Sequence, residues 1–163
     1  MKKIILIISI ILFYPIDFVS AWQDKERNTG VVSHVFDGDT IKVKNGKTNV
    51  TIRLYGIDTP ESDQPFAGDA KIELQSIVLH HSISYLPLYY DDYNRLVAHV
   101  YERDKNINQI LVEKGFAWVH IYYCDQEICD QWKILQQQAK MKKAGLWQER
   151  DPVPPWVWKR RKK

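Results

Sequence analysis

Long apolar runs are nearly absent from this sequence. A membrane-spanning helix needs about 20 consecutive apolar residues, and the one sustained run, Ile4 to Phe13, is soon broken by Pro15 and Asp17, which argues against a retained anchor. Cysteine is also scarce: the 163 residues contain two, Cys124 and Cys129. No cysteine directly follows the apolar run, which argues against lipid attachment there, and no second Cys or His pair completes a tetrahedral zinc set. Internal repeats and low-complexity tracts are missing as well, which excludes a solenoid. Charge of one sign is not in large excess either. The formal net charge is +3, so net charge alone does not announce nucleic acid.

What is present begins with a leader pattern. Lys2 and Lys3 precede the apolar run, and Val19, Ser20 and Ala21 make a small-residue cleavage site, the layout of a secretory signal peptide. Residues 1–21 are therefore expected to be removed, leaving an exported, periplasmic or secreted chain. Residues 22–29 read as a short extension, 30–147 as one compact domain, and 148–163 as a tail rich in Pro, Trp and basic residues. Five cations close the chain from Lys159 to Lys163; they read either as a solvated, frayed end or as a phosphate-attracting cluster. In an oxidising compartment Cys124 and Cys129 are close enough to form a disulfide. The alternatives are free thiols or a metal site shared with His120.

Strand patterns dominate the first half: Val31 to Phe36, Thr40 to Val43 and Asn49 to Tyr55, the last two joined by a hairpin through Asn45 and Gly46. Two more follow at Ile83 to Tyr90 and Leu96 to Tyr101. Helical spacing marks Gly68 to His80, Ile107 to Lys114 and Asp130 to Ala144, the last two stopped by Gly115 and Gly145. Strands first, with helices inserted and appended, predict an α+β domain around a small antiparallel barrel. The Pro residues at 152, 154 and 155 predict an extended tail.

Charged residues gather around the hairpin. Asp37 and Asp39 precede the second strand, while Arg53, Asp58 and Glu61 follow through and beyond the third. Alternation puts Val50, Ile52 and Leu54 on one face and Arg53 on the other. Antiparallel pairing then brings Asp39 and Thr40 alongside the end of the third strand, close to Asp58. Taken singly, Asp37 with Gly38 reads as a turn and Asp58 as a loop carboxylate. Together they offer oxygen ligands, which suit a hard cation such as Ca²⁺ better than Zn²⁺.

The blocks FDGDT, IRLYGIDTPES, DDYNRLVAHVY, NQILVEKGFAWV and AKMKKAGLW occur in this order across about Gly30 to Trp147. In order and approximate spacing they resemble the staphylococcal nuclease (thermonuclease) family. The resemblance implies a five-stranded antiparallel barrel of the oligonucleotide-binding type with about three helices. It implies hydrolysis of DNA or RNA to products ending in 3′-phosphate, by a chain expected to be monomeric. Asp39, Asp58 and the carbonyl of Thr59 match the family's Ca²⁺ ligands. Glu61 matches the general base, Arg53 and Arg95 the phosphate-binding arginines, and Tyr93 a substrate-contacting tyrosine.

The chain departs from the family pattern in four places. Asp92 stands where the family has a lysine, Asn94 where it has a glycine, and the segment from Glu61 to Arg95 is shorter. A second substrate-stacking tyrosine falls on His120 or Ile121, with Tyr122 and Tyr123 adjacent. None of His34, His80, His81, His99 and His120 has ligand-like spacing, and none is assigned to catalysis. The competing reading is an inactive nucleic-acid-binding module. It fits poorly with a chain that keeps Asp39, Arg53, Asp58, Glu61 and Arg95 together.

Overall fold

The computed structural model describes residues 27–161. The expected leader, residues 1–21, and the start of the extension after it lie outside the described residues.

Alternating apolar residues build a barrel, and bulges adjust it where alternation fails. Strand β1 (Asn28–Val35) buries both Val32 and Val35, which strict alternation would put on opposite faces. A register shift against β2 (Thr40–Asn45) between Val32 and His34 turns both inward. The expected hairpin joins β2 to β3 (Thr48–Leu54), with its loop displaced by one residue. Asn45 pairs with Thr48, so Gly46 and Lys47 form the turn rather than Asn45 and Gly46. Positive φ is confined to Gly46, at 57°, the pattern of a type II′ turn. That register sets Thr40 opposite Arg53.

The short β4 (Ile57–Asp58) leaves the barrel, and α1 (Ala67–Val78) follows, burying Ala70, Leu74 and Val78. Next come β5 (Ser82–Tyr90) and β6 (Leu96–Glu102), with Pro87 tolerated in β5 beside another register shift. Strand β7 (Lys105–Asn106) leads into α2 (Ile107–Glu113), whose N-cap Asn106 accepts a side-chain bond from the Gln109 amide. Strand β8 (Trp118–Val119) pairs back onto β4, and α3 (Ile128–Met141) packs Trp132 into the core. A 3-10 turn (Gly145–Gln148) precedes a last helix, α4 (Pro155–Arg161).

The order β3-β2-β1-β5-β6 closes into a five-stranded barrel because β3 also pairs with β6. That closing pair is parallel, with Arg53 opposite Val97, whereas the other barrel pairs are antiparallel. Asn108 of α2 seals the seam. Its Oδ1 accepts from the Val100 amide at 3.0 Å, and its Nδ2 donates to the Tyr55 carbonyl at 2.9 Å and to the Ala98 carbonyl at 3.3 Å. Fully buried, it satisfies backbone groups on both sides of the joint.

Four α-helices stand where about three were expected. The extra one is α4, so the segment from Pro155 onward is helical rather than extended. Proline at the first helical position is favourable, because its missing N–H would be unpaired there anyway. Among the described residues no helix is long and apolar enough to cross a membrane.

Candidate active site

The hairpin register delivers the first half of the site. The turn before β2 is held by the Asp37 carboxylate, which accepts from the Asp39 amide at 3.0 Å. Its tightness depends on Gly38, where an added Cβ would lie 2.7 Å from Thr59 Oγ1 and 2.9 Å from the Ala70 side chain. Asp39 is thereby sunk to 1% exposure. Its Oδ2 accepts from both the amide and the hydroxyl of Thr59, each at 2.8 Å. Its Oδ1 accepts from the Thr40 hydroxyl at 3.2 Å and forms an ion pair with Nη1 of Arg53.

Arg53 also engages Asp58. Its Nη2 lies 2.5 Å from Asp58 Oδ1 and donates to the Ile57 carbonyl at 3.1 Å. Both carboxylates are almost wholly buried, and one planar guanidinium holds them side by side. Strand β4 fixes Asp58 by pairing it with Trp118.

The second half comes from the β5–β6 turn. Asp91 Oδ1 accepts from the Tyr93 and Arg95 amides at 3.0 and 2.9 Å, and Oδ2 accepts from Arg95 Nε at 2.8 Å. Burial alone would raise the Asp91 carboxyl, but these bonds and the charge of Arg95 outweigh it and hold it below its ordinary value. Asn94 has φ of 58°, a left-handed conformation that asparagine tolerates better than most side chains. This accounts for asparagine at a position where the family pattern has glycine. Tyr93 is left 81% exposed, with Arg95 Cζ 5.3 Å from its ring centroid.

Arg53, Asp58, Tyr93 and Arg95 line one cleft of about 630 Å³. Asp39 and Thr59 lie directly behind Arg53. Glu61 is placed differently: its carboxylate is not among the cleft-lining groups and pairs with Lys159 Nζ of α4 at 2.8 Å. Its backbone is fixed reciprocally with Gln64, whose Oε1 accepts from the Glu61 amide at 3.0 Å.

Several cleft residues carried no site assignment in the sequence reading. Tyr89, Tyr90, Tyr122 and Tyr123 form exposed aromatic walls, and His120 lies among them with its ring 4.6 Å from that of Tyr123. Burial lowers the His120 pKa, opposed by the charge of Asp58, so the ring favours its neutral form. From α4, Trp156, Lys159 and Arg160 complete the lining. The sequence signal for them was the Pro155 start followed by two tryptophans, Trp156 and Trp158, and then a basic run from Lys159.

A disulfide joins Cys124 to Cys129 with Cα atoms 5.6 Å apart, and His120 shares no metal site with either. The loop it closes is tied to the turn before β4. The Tyr55 hydroxyl donates to Asp125 Oδ1 at 2.6 Å and accepts from the Asp125 and Gln126 amides at 3.0 and 3.2 Å.

The donor set also bears on a metal. Among the described residues no cluster of three or more His, Cys, Asp or Glu side chains forms a cage. Asp39, Asp58 and the Thr59 carbonyl offer oxygen only. Two converging carboxylates, already sharing one cation in Arg53, fit a hard divalent ion better than a soft one.

Residues 51–149 match a protein family described as staphylococcal nuclease homologue. A protein of Escherichia coli O157:H7 described as an uncharacterized endonuclease is 38% identical over 134 residues, which is 82% of this chain and 86% of that protein. One of Haemophilus influenzae with the same description is 33% identical over 160 residues, 98% of this chain and 86% of its own length. A micrococcal nuclease of Shigella flexneri is 30% identical over 154 residues, covering 89% and 86%. With its closed five-stranded barrel and the match across most of its folded length, the chain belongs to the staphylococcal nuclease family.

Proposed function

We propose that this chain is an exported, calcium-dependent nuclease that cleaves DNA or RNA and leaves 3′-phosphate ends. Hydrolytic nuclease activity follows from the family. The observation that supports the finer reading is the sharing of Arg53 between two buried carboxylates, in a cleft whose other wall carries Arg95.

A phosphodiester resists attack because its oxygens are anionic. Arg53 and Arg95 meet that charge from two sides, each with a planar fork able to grip two phosphate oxygens. A calcium ion held by Asp39, Asp58 and the Thr59 carbonyl would add positive charge against the phosphate oxygens that carry the transition-state charge. Glu61 accepts a proton from the attacking water. The new P–O bond forms in line with the bond that breaks, the 5′ oxygen departs and takes a proton from solvent, and the phosphate stays on the 3′ side. Tyr93, exposed at the rim, offers its ring face to a base.

The test is incubation of the purified chain lacking residues 1–21 with single-stranded DNA, duplex DNA and RNA, each with Ca²⁺ or chelator, followed by analysis of product ends. Cleavage with Ca²⁺, none with chelator, and 3′-phosphate ends are expected. Strand binding without cleavage would instead identify an inactive binding module. Glu61→Gln should lower kcat by roughly 10² to 10⁴ fold; near wild-type turnover would remove Glu61 from the chemistry. For export, the expected result is protein recovered outside the cytoplasm with Trp22 as its first residue.

A further inference from the structure

The C-terminal helix is docked on the site. Pro155 is buried, and the Gln64 side chain donates to the Val153 carbonyl at 2.5 Å. Trp156 packs against His120 and Trp118, with ring centroids 4.9 and 5.9 Å apart. Trp158 Nε1 donates to Asp63 at 3.1 Å, and Lys159 reaches Glu61. These contacts fix α4 along the Asp58 to Gln64 segment and point its basic face at the cleft.

The charge balance of that cleft depends on α4. Seven charged side chains line it: Arg53, Arg95, Lys159 and Arg160 against Asp58, Asp91 and Asp92, a net of +1. Without the helix the balance is −1. The two arginines of the barrel are also committed, Arg53 to Asp39 and Asp58 and Arg95 to Asp91. Among the described residues no carboxylate pairs with Arg160, whose Nε donates only to the Trp156 carbonyl at 3.1 Å. Of the four cations, Arg160 is therefore the one without a carboxylate partner, and Lys159 is the one whose partner, Glu61, is not a cleft-lining acid.

We infer that Lys159 and Arg160 are substrate-binding residues, gripping strand phosphates beside the scissile one, and that Lys159 leaves Glu61 for a phosphate when the strand arrives. The exchange couples occupancy to chemistry. An empty cleft has its base neutralised by Lys159, and a filled cleft frees it. This rests on the cleft being the nucleic-acid site.

The experiment measures binding apart from hydrolysis. A labelled single-stranded oligothymidylate of about 10 nucleotides, within the ~4 to 16 that one barrel of this type covers, is titrated by fluorescence anisotropy in chelator at several salt concentrations. Each lost phosphate contact lowers the log–log salt slope by about 0.7 on a single strand. The Lys159→Gln, Arg160→Gln double variant should therefore lose about 1.4 from the slope and, with affinities converging near ~1 M salt, bind roughly 25-fold more weakly at about 0.1 M. Lys159→Arg should keep most of the slope. With Ca²⁺ present, the loss in the double variant should fall on KM more than on kcat. An unchanged slope, a wild-type chain that does not bind the strand, or a Lys159→Gln variant whose kcat rises at unaltered affinity would each overturn the inference. The last would make the pair a simple lock. A wild-type chain that binds but never cleaves would sink the hydrolytic reading alone, because the slope comparison needs no turnover.

Discussion

Thr59 turns two donors, its amide and its hydroxyl, onto one oxygen of Asp39, each at 2.8 Å. The Thr59 backbone and side chain thus together orient the buried carboxylate. Thr59→Val keeps the amide bond and the shape but removes the hydroxyl. We expect a stability loss of about 1 kcal/mol, the net worth of one such bond, read by chemical denaturation. The Ca²⁺ titration of activity should also shift to higher concentration. An unshifted titration would show that the amide alone positions Asp39.

Arg95→Lys tests fork geometry separately from charge. Lysine keeps the positive charge but cannot reproduce the guanidinium fork that holds Asp91 and would face phosphate. A fall in kcat/KM of roughly 10 to 100 fold is expected, or about 1.4 to 2.7 kcal/mol of lost transition-state binding. Recovery of most of the rate with lysine would make a two-point contact untenable.

Asn108 can be tested at the barrel seam. Asn108→Leu fills similar space but strips its bonds from the Val100 amide and the Tyr55 carbonyl, while the Ala98 carbonyl keeps the Tyr55 amide at 2.9 Å. Buried groups left unpaired cost about 1 to 3 kcal/mol each, so the variant should lose at least several degrees of melting temperature in a thermal unfolding experiment. A melting temperature within a degree of wild type would mean that water replaces the side chain.

Acid should destabilise the fold through its two buried imidazoles. Burial pushes His99 below the ordinary value of 6.5 against the opposing bond from Gln126, and it lowers His120 against the charge of Asp58. Below that value the unfolded chain takes up protons that the folded chain refuses. This contribution to stability is complete above about pH 6.5 and declines as the pH falls toward the lowered folded values. Unfolding free energy measured across this range should show the decline, and His99→Gln should flatten part of it.

Reduction of Cys124–Cys129 should cost about 2 kcal/mol, since the closed loop is short, with a sequence separation of 5. The loss should be visible as a lower denaturation midpoint in the presence of a thiol. An equal midpoint in both redox states would assign the bracing to Tyr55 and its bonds to Asp125 and Gln126 instead.

The sequence made the barrel strands and the first three helices legible because apolar periodicity is local. Ile52, Arg53 and Leu54 announce their faces within a single strand. Glycine did the same at Gly115, whose φ of 76° suits the helix stop read from it, but not at Gly145: α3 ends at Met141 and turns left-handed at Lys143, with φ of 52°, while Gly145 opens the 3-10 turn that follows. The hairpin loop was displaced because Asn-Gly and Gly-Lys are both acceptable turns, and cross-strand packing chooses between them. The convergence of Asp39, Arg53 and Asp58 followed from that hairpin, whereas the Glu61 pairing with Lys159 did not. It joins residues almost a hundred positions apart through a helix held by tertiary contacts with Gln64, Trp118 and His120, which no local pattern encodes.

The parallel seam between β3 and β6 also governs when the molecule can act. Arg53 and Arg95 stand on or beside the two strands that meet there, so they become neighbours only when distant stretches of polypeptide join. A chain still being synthesised, or held unfolded, carries every reactive group and none of their arrangement. The two arginines are therefore brought together by folding and not by synthesis.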